Sequence, residues 1–234
     1  MILYVNGDEY TTAAKSVNDF SFANDDFTKV ALGRKPHPDN LAISWGMQLS
    51  KLTQLAMVNE AESYCSNDRI MRTTREFIKK IPTLNSQLTV LAIGWTSWDR
   101  EEWFDDETNE YIQVSADGKS IVPNKWLKRY KEYVAKSSLF DKMQYWHEEI
   151  WELHHYLKNV GLPHIFFNSC YPLSNTAVKQ YDWDDQYIDP YFLSFSNYID
   201  TVTRNVGPQH YDPRAHSLWA NLMFMHLTKK LNNV

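Results

Sequence analysis

The chain lacks several features that would narrow its function at once. It has two cysteines, Cys65 and Cys170, and neither stands at a spacing typical of a metal or redox site. We therefore expect reduced thiols and a cytosol-like compartment. No basic segment followed by a long apolar one opens the sequence, as a secretory signal would require. No apolar run approaches the roughly 18 residues of a membrane span, so we expect a soluble, cytoplasmic protein without membrane contact.

An excess of basic residues is also missing. The 24 Lys and Arg are outnumbered by 29 Asp and Glu, which gives a net charge of −5. Because nucleic-acid binding depends on neutralising phosphates, we expect no nucleic-acid partner. Aromatic residues, in contrast, make up 15% of the chain. They are enriched in cores, sugar-facing surfaces and protein interfaces alike, which leaves a protein partner or a carbohydrate ligand open.

Apolar runs and amphipathic segments alternate along the chain. The runs predict strands at 2–5, 55–58, 88–93 and 164–167. Apolar spacings of three to four residues, together with cap residues, predict helices over 39–52, 66–78, 125–157, 191–202 and from 212 onward. This alternation indicates a mostly parallel sheet covered by helices on both faces. Neither a repeat nor a linker is visible, so we expect a single domain over residues 1–234.

Residues 98–124 are predicted to be an insertion in that domain. The segment contains two acidic turns, and its Asp117-Gly118 pair is typical of the turn of a β-hairpin. Its acidic part, Asp99–Asn109, is either a lid or an interface, and the sequence leaves both open.

Polar or glycine-bearing loops follow the predicted strands and precede the last helix. They are Asn6-Gly7-Asp8-Glu9, residues 63–68, Gly94-Trp95-Thr96-Ser97 and Gly207-Pro208-Gln209-His210. Because the carboxyl ends of parallel strands share one edge of a sheet, we expect these loops to converge on one crevice.

The order and spacing of these loops resemble the SGNH, or GDSL-like, hydrolase superfamily. Gly7-Asp8 looks like its first block, Gly-Asp-Ser, and Ser66-Asn67 stands where the second block leads into a helix. Gly94 opens the third block, and His210 resembles the histidine before the terminal helix. The resemblance implies a three-layer α/β/α sandwich of flavodoxin-like type with no cofactor. The chain also resembles uncharacterised SGNH-like proteins of bacteria and tailed phages.

The sequence departs from this pattern where the family's chemistry takes place. The residue expected to be the nucleophilic serine is Glu9, which cannot form an alkoxide. Thr96 replaces the asparagine that would stabilise the oxyanion, and Gly207 replaces the aspartate that would orient His210. The glycine expected near Tyr64 is missing as well. Losing the nucleophile, its orienting group and the donors together leaves little catalysis.

Two functions follow from this comparison. In the first, the chain is a non-catalytic binding or structural component, of a phage particle for example. In the second, it is an active ester hydrolase on an acylated carbohydrate or similar substrate, with an unorthodox site at Glu9, Asp8, Thr96 and His210. We favour the first. Candidate binding residues are Gly7, Ser66, Asn67, Gly94, Trp95 and Trp98.

Each of these residues also has a purely structural interpretation. Asp8 and Glu9 form either a carboxylate pair in a cleft or a turn in which Asp8 accepts backbone N–H groups. Asn67 either faces a ligand or caps a helix, and the tryptophans either stack on sugar rings or pack on the core. Cys65 is either a nucleophile paired with His210 or a small buried thiol.

We expect no metal site. His147 and His154 lie seven residues apart on one predicted helix face. Metal-binding histidine pairs on helices normally stand three or four residues apart.

Overall fold

The computed structural model describes residues 2–23, 34–81, 89–120, 122–173, 180–202 and 212–231. Its strands are β1 (Ile2–Asn6), β2 (Ala56–Asn59), β3 (Thr89–Trp95), β4 (Arg100–Asp105), β5 (Glu110–Ser115) and β6 (His164–Asn168). Four of them form a parallel sheet in the order β2-β1-β3-β6. The predicted parallel sheet is therefore confirmed, with strand boundaries shifted by one or two residues; Leu88 lies outside the described residues.

Seven helices surround the strands in the described part of the chain. They are α1 (Pro38–Ile43), α2 (Trp45–Thr53), α3 (Asn67–Lys80), α4 (Leu127–Lys136), α5 (Leu139–Asn159), α6 (Phe195–Val202) and α7 (Pro213–Leu231). None of them is long and apolar enough to cross a membrane. Asp212 caps α7, as predicted, by accepting a hydrogen bond from Ala215 N at 2.9 Å.

The side chains of the sheet alternate between two apolar cores, as the pleat of a strand requires. Tyr4 faces the core built with α3 and α5, whereas Leu3 and Val5 face the core built with α2, α6 and α7. Helices therefore cover both faces of a parallel sheet. This is the predicted three-layer α/β/α architecture.

Two predicted helices are each split by a serine. The helix expected over 39–52 breaks at Ser44, whose hydroxyl accepts from Met47 N at 3.3 Å and caps α2. The helix expected over 125–157 is a 3₁₀ turn (Asn124–Trp126) followed by α4 and α5, and Ser138 caps α5. Serine competes for backbone N–H groups and therefore favours caps over helix interiors, which the apolar spacing does not reveal.

The hairpin of the predicted insertion lies earlier than expected. It consists of β4 and β5, with Arg100 paired to Ser115 and Asp105 to Glu110. The prediction of a hairpin turn at Asp117-Gly118 was wrong. Asp117 accepts a hydrogen bond from Lys119 N at 2.9 Å, in a separate turn that follows β5 and leads towards α4.

Candidate functional site

The loops that follow β1, β2 and β3 meet at the carboxyl edge of the sheet. Glu62 N donates to Gly7 O at 3.0 Å, and Thr96 N donates to the Asn67 side chain at 2.9 Å. These contacts join the three loops into one buried polar cluster, which we call the crevice. The fourth predicted loop, with Gly207 and His210, lies outside the described residues. The loop after β6 contributes two side chains to the crevice that the sequence did not indicate, Ser169 and Cys170.

Glycine is required at two places in the crevice. Gly7 has φ +151°, and a Cβ atom there would lie 2.1 Å from the Thr11 hydroxyl oxygen. A Cβ atom on Gly94 would lie 2.6 Å from the ring of Phe167. Both residues thus permit close approach of backbone and side chains, which is a common use of glycine beside a site.

Glu9 forms a bidentate ion pair with Arg100 at the centre of the crevice. Arg100 Nη1 lies 2.7 Å from Glu9 Oε2, and Nη2 lies 2.5 Å from Oε1. Tyr64 N donates to Oε2 at 3.0 Å. Glu9 is 2% exposed. The carboxylate therefore has three donors and almost no access to solvent.

The ion pair keeps both partners charged. Burial opposes ionisation of Glu9, but the charge and hydrogen bonds of Arg100 outweigh burial and lower the pKa of Glu9 below its usual value. Burial likewise opposes the charge on Arg100, and Glu9 overcomes it, so that the pKa of Arg100 is raised. A buried guanidinium–carboxylate pair of this geometry is a strong, directional contact.

Asp8 is fully buried next to this pair. Its Oδ1 accepts from Tyr10 N at 3.1 Å, as in the turn interpretation, and the thiol of Cys170 lies 3.7 Å from Oδ2. Burial and the neighbouring charge of Glu9 raise the pKa of Asp8 to about 6, while Arg100 opposes the increase. The environment of Asp8 thus favours its neutral form more than that of an ordinary carboxyl group.

The candidate oxyanion and binding groups take part in internal hydrogen bonds. Thr96 Oγ1 accepts from Arg100 Nη1 at 2.9 Å. Asn67 holds the backbone of Thr96 on both sides, because its Oδ1 accepts from Thr96 N and its Nδ2 donates to Thr96 O at 3.3 Å. Ser66 caps α3 by accepting from Arg69 N at 3.3 Å. These side chains shape the crevice from within.

The candidate tryptophans belong to the core. Trp95 is 0% and Trp98 is 2% exposed, and both pack in the cluster between the sheet, α3 and α5. Trp95 crosses the ring of Phe166 edge to face at 5.4 Å. Their rings are therefore not available for stacking on a ligand in this conformation, and the packing interpretation fits them.

The two thiols and the helix histidines have structural contacts. Cys65 Sγ donates to Gly7 O at 3.3 Å, and burial raises the pKa of the thiol, the opposite of activation. His147 lies 3.1 Å from Tyr191 OH, and His154 lies 2.9 Å from His164. Across the described ranges, no group of three His, Cys, Asp or Glu could hold a metal ion.

Arg100, like Ser169 and Cys170, is a residue of this site that sequence reasoning missed. It is the first residue of β4, in the predicted insertion, 91 positions from Glu9. The signal was indirect: a glutamate beside Asp8 at the end of a buried strand needs a cation, because an unpaired buried charge is costly. The sequence does not reveal which of the 24 Lys and Arg residues is that cation.

No protein-family model matches the chain, and no curated protein matches it. Among solved structures it is similar to the psychrotrophic esterase EstA from Pseudoalteromonas sp., with 12% identity, a TM-score of 0.42 and coverage of 99% of this chain and 98% of that one. It is also similar to a carbohydrate esterase whose active site displays divergent catalytic and non-catalytic binding functions, with 14% identity and a TM-score of 0.41. This alignment covers 97% of the present chain and 64% of the carbohydrate esterase. At these identities and TM-scores the similarity carries no argument about activity.

Proposed function

We propose that this protein is a non-catalytic binding component built on an SGNH-hydrolase-like α/β scaffold. The observation that carries the proposal is the buried ion pair of Glu9 with Arg100, at the position where the family it resembles has its nucleophile. Acyl transfer requires a nucleophile that can be activated and free donors for the oxyanion. Glu9 provides no such nucleophile. The backbone N–H of Thr96 and the side-chain amide of Asn67 each donate to the other residue, so these donors are engaged in internal hydrogen bonds.

An exposed aromatic pair beside the crevice supports the binding role. Leu173 N donates to Pro190 O at 2.8 Å, and Ser194 Oγ donates to Cys170 O at 3.2 Å, so these two loop segments are neighbours. Tyr171 lies on the first segment and Phe192 on the second, and their exposed fractions are 59% and 62%. Large aromatic residues left in solvent favour a contact surface for a protein or a sugar ring. A place in a larger assembly, a phage particle included, belongs to the same proposal.

One observation favours the competing function, an active ester hydrolase on an acylated carbohydrate. Asp8 has a pKa of about 6 and lies beside Cys170, so a group able to exchange a proton near neutral pH is present in the crevice. In that function Glu9, Thr96 and His210 would complete the site. A neutral, buried Asp8 carboxyl group in a turn, without a catalytic role, accounts for the same contacts.

The experiment measures hydrolysis of a short-chain aryl ester and of an acetylated sugar by the native protein, His210→Ala and the double variant Glu9→Ser/Arg100→Met. We expect no turnover by the native protein above the buffer rate, because Glu9 is held by Arg100. Turnover gained by the double variant alone would support a site silenced at its nucleophile. Glu9→Gln/Arg100→Met is the matched control, since it removes both charges without adding a hydroxyl. Native turnover that His210→Ala abolishes would overturn the proposal.

A further inference from the structure

A relay of two buried histidines crosses the interface between α5 and β6. His154 Nδ1 lies 2.9 Å from His164 Nε2, and His164 Nδ1 lies 2.9 Å from Leu162 O. A carbonyl oxygen only accepts, so His164 Nδ1 carries a hydrogen. The Nε2 of neutral His164 is then an acceptor, and His154 Nδ1 must be the donor to it. The contacts therefore fix the tautomer of both rings.

The same relay leaves the other nitrogen of His154 without a hydrogen. Nε2 of neutral His154 lies 3.5 Å from Asp184 Oδ2, and among the described residues it has no hydrogen-bond partner. The His154 ring is 0% exposed. Two acceptors thus face each other, one on a buried ring and the other on a carboxylate whose side chain is 40% exposed. A proton on Nε2 would turn this opposition into a charge-assisted hydrogen bond.

We propose that His154 is a pH-dependent latch. When it is protonated, its side chain holds residues 180–187, which we call the aromatic loop, against α5. Protonation joins His154 Nε2–H to Asp184. When His154 is deprotonated, the lone pair of Nε2 repels the Asp184 carboxylate. Lys158, whose Nζ lies 2.5 Å from Asp184 Oδ2, then still holds this part of the loop on α5.

The charged and titratable groups that face His154 come from three elements. They are His155 and Lys158 on α5, His164 on β6 and Asp184 on the aromatic loop. The remaining neighbours include the uncharged rings of Trp151 and Trp183. Burial, His155 and Lys158 lower the pKa of His154, and Asp184 acts against them. The latch therefore closes on the acid side of the usual histidine range.

The aromatic loop connects this latch to the exposed aromatic pair. Tyr181 stacks on Trp151 at 4.3 Å and anchors the first part of the loop in either protonation state. At the other end, Tyr187 OH donates to Asn168 Oδ1 at 2.6 Å, and Asn168 Nδ2 donates to Pro190 O at 2.9 Å. Pro190 belongs to the segment that carries Phe192. The latch depends on the histidine geometry alone and goes beyond the proposed binding role.

The test is a side-chain ¹⁵N NMR titration of His154 in the native chain, Asp184→Asn and Lys158→Met. At pH 8 we expect native His154 to be the Nδ1–H tautomer. Asp184→Asn should lower its pKa, and Lys158→Met should raise it, each by roughly 0.5 to 1 for charges this close to the surface. Glu152→Gln, which removes an exposed acid from the same helix, should leave the pKa unchanged.

The opposite signs of the two shifts separate a latch from a merely structural contact. Amide spectra at pH 8 establish that each variant is folded, and the tautomer of the native chain tests the relay without any substitution. An Nε2–H tautomer of His154 at pH 8 would overturn the proposal. Equal pKa values of His154 in native protein and Asp184→Asn would overturn it as well.

Discussion

At the scale of single residues, the crevice is organised by one ion pair. The Glu9 side chain is 1% and the Arg100 side chain 13% exposed, and their mutual attraction offsets the loss of hydration. Such a pair is weak evidence for net stability, because a protein in which two well-packed apolar side chains replace the pair is often equally stable. Removing one partner is different, since it leaves the other charge buried and unpaired. The pair therefore fixes the local conformation more than it stabilises the fold.

We expect Arg100→Met to destabilise the protein by about 3–5 kcal/mol at pH 7, because Glu9 is left as an unpaired buried charge. Urea unfolding measures the change. In this variant burial raises the pKa of Glu9, so the lost stability should return as the pH falls and Glu9 becomes neutral. Glu9→Gln/Arg100→Met is the matched control and should be more stable than Arg100→Met alone. Equal stabilities of the two variants would contradict this account of the pair.

Asp8 should make the stability of the native protein depend on pH. Its pKa is raised from 3.8 to about 6, so the folded state favours the neutral form, and stability is lost as the pH rises through this window. We expect Asp8→Asn to remove this loss. The free energy of unfolding of Asp8→Asn, relative to that of the native protein, should then rise between pH 4 and 7. The rise should be as much as about 3 kcal/mol, since each pKa unit corresponds to about 1.4 kcal/mol. Unfolding curves at several pH values measure the difference, and a constant difference would contradict the prediction.

At the scale of elements, the start of α3 is fastened to the end of β3 by one side chain. Asn67 is the first residue of α3, and its amide bonds both the N–H and the carbonyl of Thr96. This contact sets the position of the loop that carries Thr96 towards Arg100. Secondary structure and site geometry are therefore linked through an asparagine that looked like a helix cap in the sequence.

We expect Asn67→Ala to destabilise the protein by about 2 kcal/mol, because Thr96 N is left buried without an acceptor. Ser66→Ala is the matched control at the adjacent position. It removes only a helix cap and should destabilise the protein by about 1 kcal/mol. Thermal and urea unfolding compare the two variants. A smaller effect for Asn67→Ala than for Ser66→Ala would contradict the role of Asn67 as a link between the two elements.

At the scale of the whole molecule, the three layers bury the aromatic residues that we expected near the crevice and expose others. Trp95 and Trp98 lie in the core, whereas Tyr171 and Phe192 lie at the surface on neighbouring loop segments. The proposed binding surface is expected to contribute little to the stability of the fold. Its removal is expected to affect association alone.

We expect Tyr171→Ser/Phe192→Ser to change the free energy of unfolding by less than about 1 kcal/mol while weakening association. The probes are self-association, measured by sedimentation velocity, and retardation of the protein by soluble polysaccharides in native gels. Phe140→Ser/Tyr156→Ser is the matched control, since it removes two aromatic side chains of similar exposure from α5. Equal association of both double variants and the native protein would contradict a binding role for this pair.

The sequence by itself determined the class of fold. The apolar strands, the amphipathic helices and the short connections predicted a parallel sheet with helices on both faces, because these signals depend on residues a few positions apart. The caps at Ser66 and Asp212 were visible for the same reason. The breaks at Ser44 and Ser138 were not, since the apolar spacing continues across them.

Only the tertiary structure decided what surrounds Glu9. The sequence put Glu9 and Thr96 after strand ends on one edge of the sheet, but the guanidinium between them comes from a hairpin 91 residues from Glu9 along the chain. The same holds for Cys170 beside Asp8 and for Asp184 beside His154. Burial and long-range pairing set the charges of these groups, and neither can be derived from local spacing, because each depends on how the layers pack.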